Sequence, residues 1–249
     1  MQLSTAQVNL FRDQGFLALP GFFSEEYVRR LLDRIEALCR QWQGDEARQL
    51  HMQQEPEVSA GAAEPSAVTI RKFAELARHD PLFLEHARHP NLLAVVSQLL
   101  GRPLSLYADQ SLLKPPRHGS EKPEHQDNAY FRVEPADHVI TCWMALDDAD
   151  LENGCMHYYP GSHRQGLIAH RAIQGTPHLV PDGLRREDSV AAPVPAGGLI
   201  LHHSETVHWS PANPSPRWRR AHVVHIVRSD AVLSARHPNS PALPVLLEA

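Results

Sequence analysis

Cysteine is scarce in this chain, with only Cys39, Cys142 and Cys155 among 249 residues. They form neither a Cys-x-x-Cys pair nor an even set, which argues against a disulfide framework and fits a reducing compartment. No apolar run reaches the roughly eighteen residues that a membrane helix needs. The opening MQLSTAQVNLFRDQG lacks the basic and then apolar order of a secretory leader. A soluble, cytoplasmic protein is expected. Positive charge is not in excess either: 24 Lys+Arg stand against 29 Asp+Glu, a formal net charge of −5. No general basic field is present to draw a phosphate backbone, so neither nucleic acid nor membrane is expected as a partner.

Histidine, by contrast, is abundant, with 17 residues, a supply that permits metal chemistry without locating it. The length suits one domain over 1–249. Ser4 and Thr5 cap a short helix through Val8, Leu10 and Phe11, and Gly15 precedes a strand-like FLALP. Ser24 starts a second helix running to about Trp42, whose Val28, Leu31, Leu32, Ile35 and Leu38 form one apolar stripe. Residues 43–68 lose this periodicity and read as a mobile loop or lid. Two helical pieces follow from Phe73 to Leu100, interrupted near Asp80-Pro81 and His89-Pro90 and ended by Gly101.

Beyond Gly101 the period changes. Leu104–Lys114, Val139–Leu146, Met156–Pro160, Gly198–His203 and His222–Val227 are short β-like runs separated by turn-rich segments. The expectation is a mainly β domain, a sandwich or barrel, with helices from roughly 1–100 packed on its outside. The part after Asp230 reads as a proline-rich terminal strand or tail.

Within EKPEHQDNAYF, His125 and Asp127 stand two apart. In an extended strand such positions share a face, so an imidazole nitrogen and a carboxylate oxygen reach one ion while Gln126 faces away. Two histidines and one carboxylate leave open positions on an octahedral metal, the arrangement suited to non-haem Fe(II). Candidates for the third ligand are His138, His157, His163, His170, His178, His202, His203, His208, His222 and His225. His208 ranks first, because it follows an apolar strand and precedes Ser210 and the arginines 217, 219 and 220. Alternation puts Arg219 and Ala221 on one face and Arg220 and His222 on the other, without choosing which faces inward.

Three segments, HQDNAYF at 125–131, WMALDDADLENGCMHYYPGSH at 143–163 and HWSPANPSPRWRR at 208–220, resemble the phytanoyl-CoA dioxygenase family of Fe(II)- and 2-oxoglutarate-dependent oxygenases. FRDQGFLALPGFFSEEYVRRL at 11–31 is similar to that family's N-terminal entry. The resemblance implies a double-stranded β-helix, a jelly-roll or cupin-like fold. It implies His125, Asp127 and His208 as iron ligands and Arg219 against the distal carboxylate of 2-oxoglutarate, with Ser210, Trp143 and Lys114 beside that co-substrate. The same likeness implies oxygen-dependent decarboxylation to succinate and CO2 with hydroxylation of a C–H bond.

For a small organic substrate, Tyr130, Phe131 and Met144 offer apolar or aromatic surface, and His157 and Tyr158 offer polar contacts. Asn153-Gly154 reads as a turn, and His163 within PGSH as a turn or pocket-wall residue. An intact carboxylate at 127 argues against halogenation, whose enzymes carry a small residue there. A non-catalytic metal- or metabolite-binding sensor and a zinc-dependent hydrolase are the other readings, separated from the first by oxygen-dependent turnover. The oligomeric state, monomer or homodimer, is not encoded in any motif.

Overall fold

The computed structural model describes residues 1–172, 179–234 and 242–248. His178 and part of the expected terminal tail lie outside the described residues. The helices are α1 (Thr5–Gln14), α2 (Glu25–Arg40), α3 (Asp45–Gln49), α4 (Pro56–Ser59), α5 (Leu76–His79), α6 (Pro81–Ala87), α7 (Pro90–Leu100) and α8 (Asn128–Phe131). The strands of the first half are β1 (Phe16–Leu19), β2 (Gln53–Gln54), β3 (Ile70–Ala74), β4 (Leu104–Lys114), β5 (Lys122–His125), β6 (Val133–Glu134) and β7 (Val139–Ala145). Those of the second half are β8 (Met156–Tyr158), β9 (His170–Ala172), β10 (Leu179–Pro181), β11 (Val190–Ala192), β12 (Leu199–His203), β13 (His208–Ser210), β14 (Arg219–Arg228), β15 (Val232–Leu233) and β16 (Val245–Leu247).

Local chemistry explains the helical entry. Ser4 and Gln7 close a capping box at the start of α1, and Gly15 ends that helix in the left-handed region. Ser24 caps α2, whose buried Val28, Leu31, Leu32, Ile35 and Leu38 are the stripe read from sequence. Pro81 and Pro90 stand at the first positions of α6 and α7, where a missing N–H costs nothing.

Eight strands make the large sheet, in the order β1-β12-β7-β14-β4-β3-β2, with β16 also on β4. A second sheet runs β11-β8-β13-β5, and β10-β9 and β15-β6 form two-stranded sheets. This corrects the expected double-stranded β-helix. Strands from the helical third extend the large sheet at both edges, while short strands pair off separately. Among the described residues no ladder closes a sheet on itself or joins the two larger ones, so the architecture is a mixed α/β fold with several open sheets. Composition and strand spacing specify where strands occur, not which pairs form.

Alternation along the large sheet divides its two faces. Cys142 and Met144 of β7, Leu199 and Leu201 of β12, and Val224 and Ile226 of β14 join α2, α6 and α7 in the main core. Trp143, Ala145, Ile200, Ala221 and Val223 point the other way and pack with Met156 and Tyr158 of the second sheet. The chemistry-bearing residues sit on that second face, where the two sheets meet. The 43–68 stretch contains α3, β2 and α4, and β2 pairs with β3 as an edge of the large sheet.

Candidate metal and co-substrate site

His125 ends β5 and His208 opens β13, and the two residues are directly paired in the second sheet. Their rings lie 4.2 Å apart between centroids. Asp127 does not continue the strand as expected: its φ of −58° and ψ of −37° are helical, and it stands at the N-cap of α8. The chain turn still returns its carboxylate to the imidazoles. Asp127 Oδ1 is 3.7 Å from His125 Nε2 and 3.8 Å from His208 Nε2. One ligand atom from each residue fits within a 4.8 Å spread, and all three residues are buried. Gln126 faces away, donating to the carbonyls of Gly166 and Glu205 and accepting from Ile168 N–H.

Hydrogen bonds fix each ligand atom. His125 Nδ1 donates to Pro123 O and His208 Nδ1 to Thr206 O, both at 2.9 Å, which leaves each Nε2 with its lone pair toward Asp127. Asp127 Oδ2 accepts from Thr141 Oγ1 at 2.6 Å and from His202 Nε2 at 3.1 Å. Behind these donors two chains follow one proton order. Tyr158 OH donates to His202 Nδ1, while Gln110 Nε2 donates to His225 Nε2 and His225 Nδ1 donates to Thr141 Oγ1. Both chains end on Oδ2 and leave Oδ1 for a cation.

Electrostatics agree with this assignment. Burial and the neighbouring His208 hold His125 well below the usual imidazole range, and burial and His202 lower His208 to about 4, so both are neutral ligands near pH 7. Burial opposes charge on Asp127, but the field of His208 and the hydrogen bond and field of His202 prevail and hold its carboxyl well below the ordinary range. A neutral, neutral, anionic donor set suits a divalent cation.

Arg219 occupies the first position of β14 and is 2% exposed. Its Nε donates to Gly154 O at 3.1 Å, its Nη2 lies 3.5 Å from Ser210 Oγ, and its guanidinium sits 5.6 Å from the Trp143 ring centroid. Nη1 is buried without a hydrogen-bond partner, as is Trp143 Nε1. Burial lowers the Arg219 guanidinium to about 10, still protonated near neutrality. A buried guanidinium with a spare donor is costly unless an anion completes it, and both groups border the metal cavity. Arg220 faces the opposite side, paired with Asp147 and Glu36. The structure therefore settles the inward position in favour of 219.

The cavity holds about 390 Å³ and is lined by the triad, Arg219, Trp143 and Ser210. Tyr130, Phe131 and Lys114 also border it. Lys114, however, directs its Nζ to the carbonyls of Ser120, Ser210 and Pro211, so it anchors the 210–211 loop. Three expected substrate contacts lie elsewhere. Alternation turns Met144 into the helical core, His157 packs at a tilt against Trp209, which lines the cavity while His157 does not, and Tyr158 acts through His202. His163 ties its turn to Arg12 O. Sequence reasoning missed Thr141 and Gln110, offered His202 and His225 only as candidates for the third ligand where they instead support Asp127 directly and through Thr141, and overlooked Arg71, Lys72 and Lys122 on the cavity wall. Each comes from a strand whose local pattern gives no register, so no short motif marks them.

Comparison with known proteins identifies the family of the chain. The family model described as phytanoyl-CoA dioxygenase matches residues 11–221. Phytanoyl-CoA dioxygenase domain-containing protein 1 of Mus musculus is 30% identical over 265 residues, covering 91% of either chain. Among solved structures, EvdO2 from Micromonospora carbonacea var. aurantiaca in complex with 2-oxoglutarate is 25% identical with a TM-score of 0.72 over 95% of each chain. The non-heme alpha-ketoglutarate-dependent carbocyclase SnoK from nogalamycin biosynthesis is 24% identical with a TM-score of 0.73, covering 98% of this chain and 96% of its own, a likeness of fold. Matched over most of its length and carrying a His-Asp-His cluster beside a buried arginine, the chain belongs to the phytanoyl-CoA dioxygenase family.

Proposed function

We propose that this protein is an Fe(II)- and 2-oxoglutarate-dependent dioxygenase that hydroxylates an unactivated C–H bond of a small organic metabolite and releases succinate and CO2. The observation that carries this reading is the meeting of His125, Asp127 and His208 within 4.8 Å, from places far apart in sequence, beside buried Arg219. The bound iron would supply the redox chemistry that activates dioxygen as 2-oxoglutarate loses CO2.

The chain's own residues account for the rest. His125 and His208 present Nε2 because their Nδ1 atoms are held by carbonyls, and Asp127 presents Oδ1 because Thr141 and His202 hold Oδ2. Arg219 pairs its spare donor with the distal carboxylate of the co-substrate in a site shielded from water, with Ser210 Oγ alongside. Recognition at both ends favours a five-carbon diacid over a shorter oxo acid. The Trp143 Nε1–H supplies one further donor on that wall. Lys114 holds the 210–211 loop, and Tyr130 and Phe131 border the space left for the substrate. The carboxylate at position 127 argues against halogenation, while desaturation, cyclisation and epimerisation stay open beside hydroxylation.

All three cysteines are free thiols, which supports a reducing, cytoplasmic setting. No helix of the described residues is long and apolar enough to cross a membrane. Strands from both ends of the chain share the large sheet, which supports reading 1–249 as one catalytic unit. Oxygen-dependent succinate formation across a panel of small metabolites tests the proposal. Turnover that requires Fe(II) and disappears in His208→Ala is expected. Metal and co-substrate binding without succinate from any metabolite would instead favour a non-catalytic binding protein.

A further inference from the structure

The ladder that joins the two histidines of the triad is interrupted just beyond them. β13 and β5 pair at His208–His125 and again at Ser210–Lys122, so Pro123 and Glu124 of β5 stand opposite Trp209 alone, a bulge. β5 is also the edge of the second sheet, and Pro123 has no N–H to give a ladder. Yet His125 Nδ1 donates to Pro123 O inside this irregular stretch. The orientation of His125 therefore depends on a place that the sheet itself does not hold.

Arg186, on the short helical turn Arg186–Asp188, grips that stretch from outside. Its Nε donates to Glu124 Oε1 at 2.6 Å and its Nη2 to Glu124 Oε2 at 3.3 Å. Nη2 and Nη1 also reach Oε1 and Oε2 of Glu121, at 2.5 and 3.1 Å. The same guanidinium lies 4.2 Å from the Trp209 ring centroid. Trp209 Nε1 donates to Ser189 Oγ, which in turn donates to Arg186 O, so the turn holds that ring twice. Glu124 precedes His125 and Trp209 follows His208, so one arginine grips the immediate neighbour of each imidazole. An isolated exposed ion pair contributes little, whereas a fork shared by two carboxylates and a ring face fixes a geometry.

We infer that Arg186 is a positioning residue for the metal centre: by holding Glu124 and Trp209 across the bulge, it sets His125 Nε2 and His208 Nε2 at the spacing a divalent cation requires. The inference rests on reading His125, Asp127 and His208 as metal ligands. It adds to that site a residue that does not line the cavity and acts only through the backbone neighbours of two ligands.

The test uses the full-length protein and Co(II), with affinity read by calorimetry and ligand geometry by the visible bands of the bound ion. The native protein is titrated first. No binding there would overturn the ligand set and this inference with it, whereas native binding that the variants leave unchanged would overturn this inference alone. Arg186→Ala removes a positive charge, which by Coulomb's law alone tightens cation binding. The clamp predicts the opposite sign, a loss of about tenfold or more together with shifted Co(II) bands. Arg186→Lys keeps the charge without the fork and should lose about threefold or more with the same band shift. Glu124→Gln should also weaken binding, and the double variant with Arg186→Ala should lose no more than the more affected single variant, because both changes open one clamp. Denaturation of the metal-free variants checks folding, and should Arg186→Ala fail to fold, Arg186→Lys decides alone. Affinity at or above the native value in Arg186→Ala, native affinity and bands in Arg186→Lys, or additive losses in the double variant would each overturn the assignment.

Discussion

At Asp127 two requirements meet in one carboxylate: Oδ2 is held by Thr141 and His202, and Oδ1 faces the imidazoles. Removing the carboxylate and removing its support should therefore differ in degree. Asp127→Ala deletes a ligand and should lower Fe(II) affinity by more than about 100-fold, while Thr141→Val deletes one of two donors and should lower it by about 10- to 100-fold. Calorimetric metal titration of both variants checks the order, and equal losses would contradict it. Under the proposed function Arg219 is the corresponding residue for 2-oxoglutarate. Truncating one partner of a buried charge pair costs about 2–5 kcal/mol, so Arg219→Ala should weaken 2-oxoglutarate binding by roughly 30-fold or more while metal affinity changes little. The triad and Arg219 were legible through family-like segments, since His-x-Asp alone is common in a chain with 17 histidines. The roles of Thr141, His202 and His225 were not legible, because they depend on which strand lies beside which.

Elements set these side chains by alternation and by turns. Along β14, Arg219 and Val223 face the site while Arg220 and Val224 face the helices, so one strand serves both cores. Gly154 supports the first of them: its φ is +89°, and a Cβ there would lie 2.7 Å from Pro211 O, close to the loop beside Arg219. Gly154→Ala should weaken 2-oxoglutarate binding several-fold without touching a ligand. On the opposite face Asp109 of β4 accepts from Ala77 N–H at the start of α5 and lies 3.9 Å from His222 Nε2. Burial raises its carboxyl to about 7. The folded protein thus keeps a proton that the unfolded chain releases near pH 4, and folding stability falls as pH rises from about 4 to about 7, by about 1.4 kcal/mol per pH unit at most. Asp109→Asn keeps the acceptor and removes the ionisation. Chemical denaturation should show the variant gaining on the native protein between pH 5 and 8, and parallel curves would contradict the role given to Asp109.

The helices α1 and α2 and the strand β4 were readable because their caps and periods are local; the strand β3 was not, because IRKFA runs into a helical segment and its partner β4 lies thirty residues on. On the scale of the whole molecule, the large sheet separates two environments. One face carries a dry helical core in which Leu31 and Ile35 are fully buried, and truncating either to Ala should cost about 2–5 kcal/mol. The other face meets the second sheet across a polar cavity, where the same closeness of packing holds histidines, a carboxylate and a guanidinium. The double-stranded β-helix that the family resemblance implies gave way to several open sheets, because pairing is a long-range property that local segments do not carry. That geometry brings β5 and β13 over β7, β12 and β14, and the site exists only when all five are in place. The most direct measurement is an anaerobic titration of 2-oxoglutarate into the Fe(II)-loaded protein, followed by the visible charge-transfer absorption of the bound pair. A saturable band is expected in the native protein, absent in Asp127→Ala and shifted to much higher co-substrate concentration in Arg219→Ala. A native protein that binds Fe(II) and gives no band at any 2-oxoglutarate concentration, or an unchanged titration in Arg219→Ala, would contradict the site.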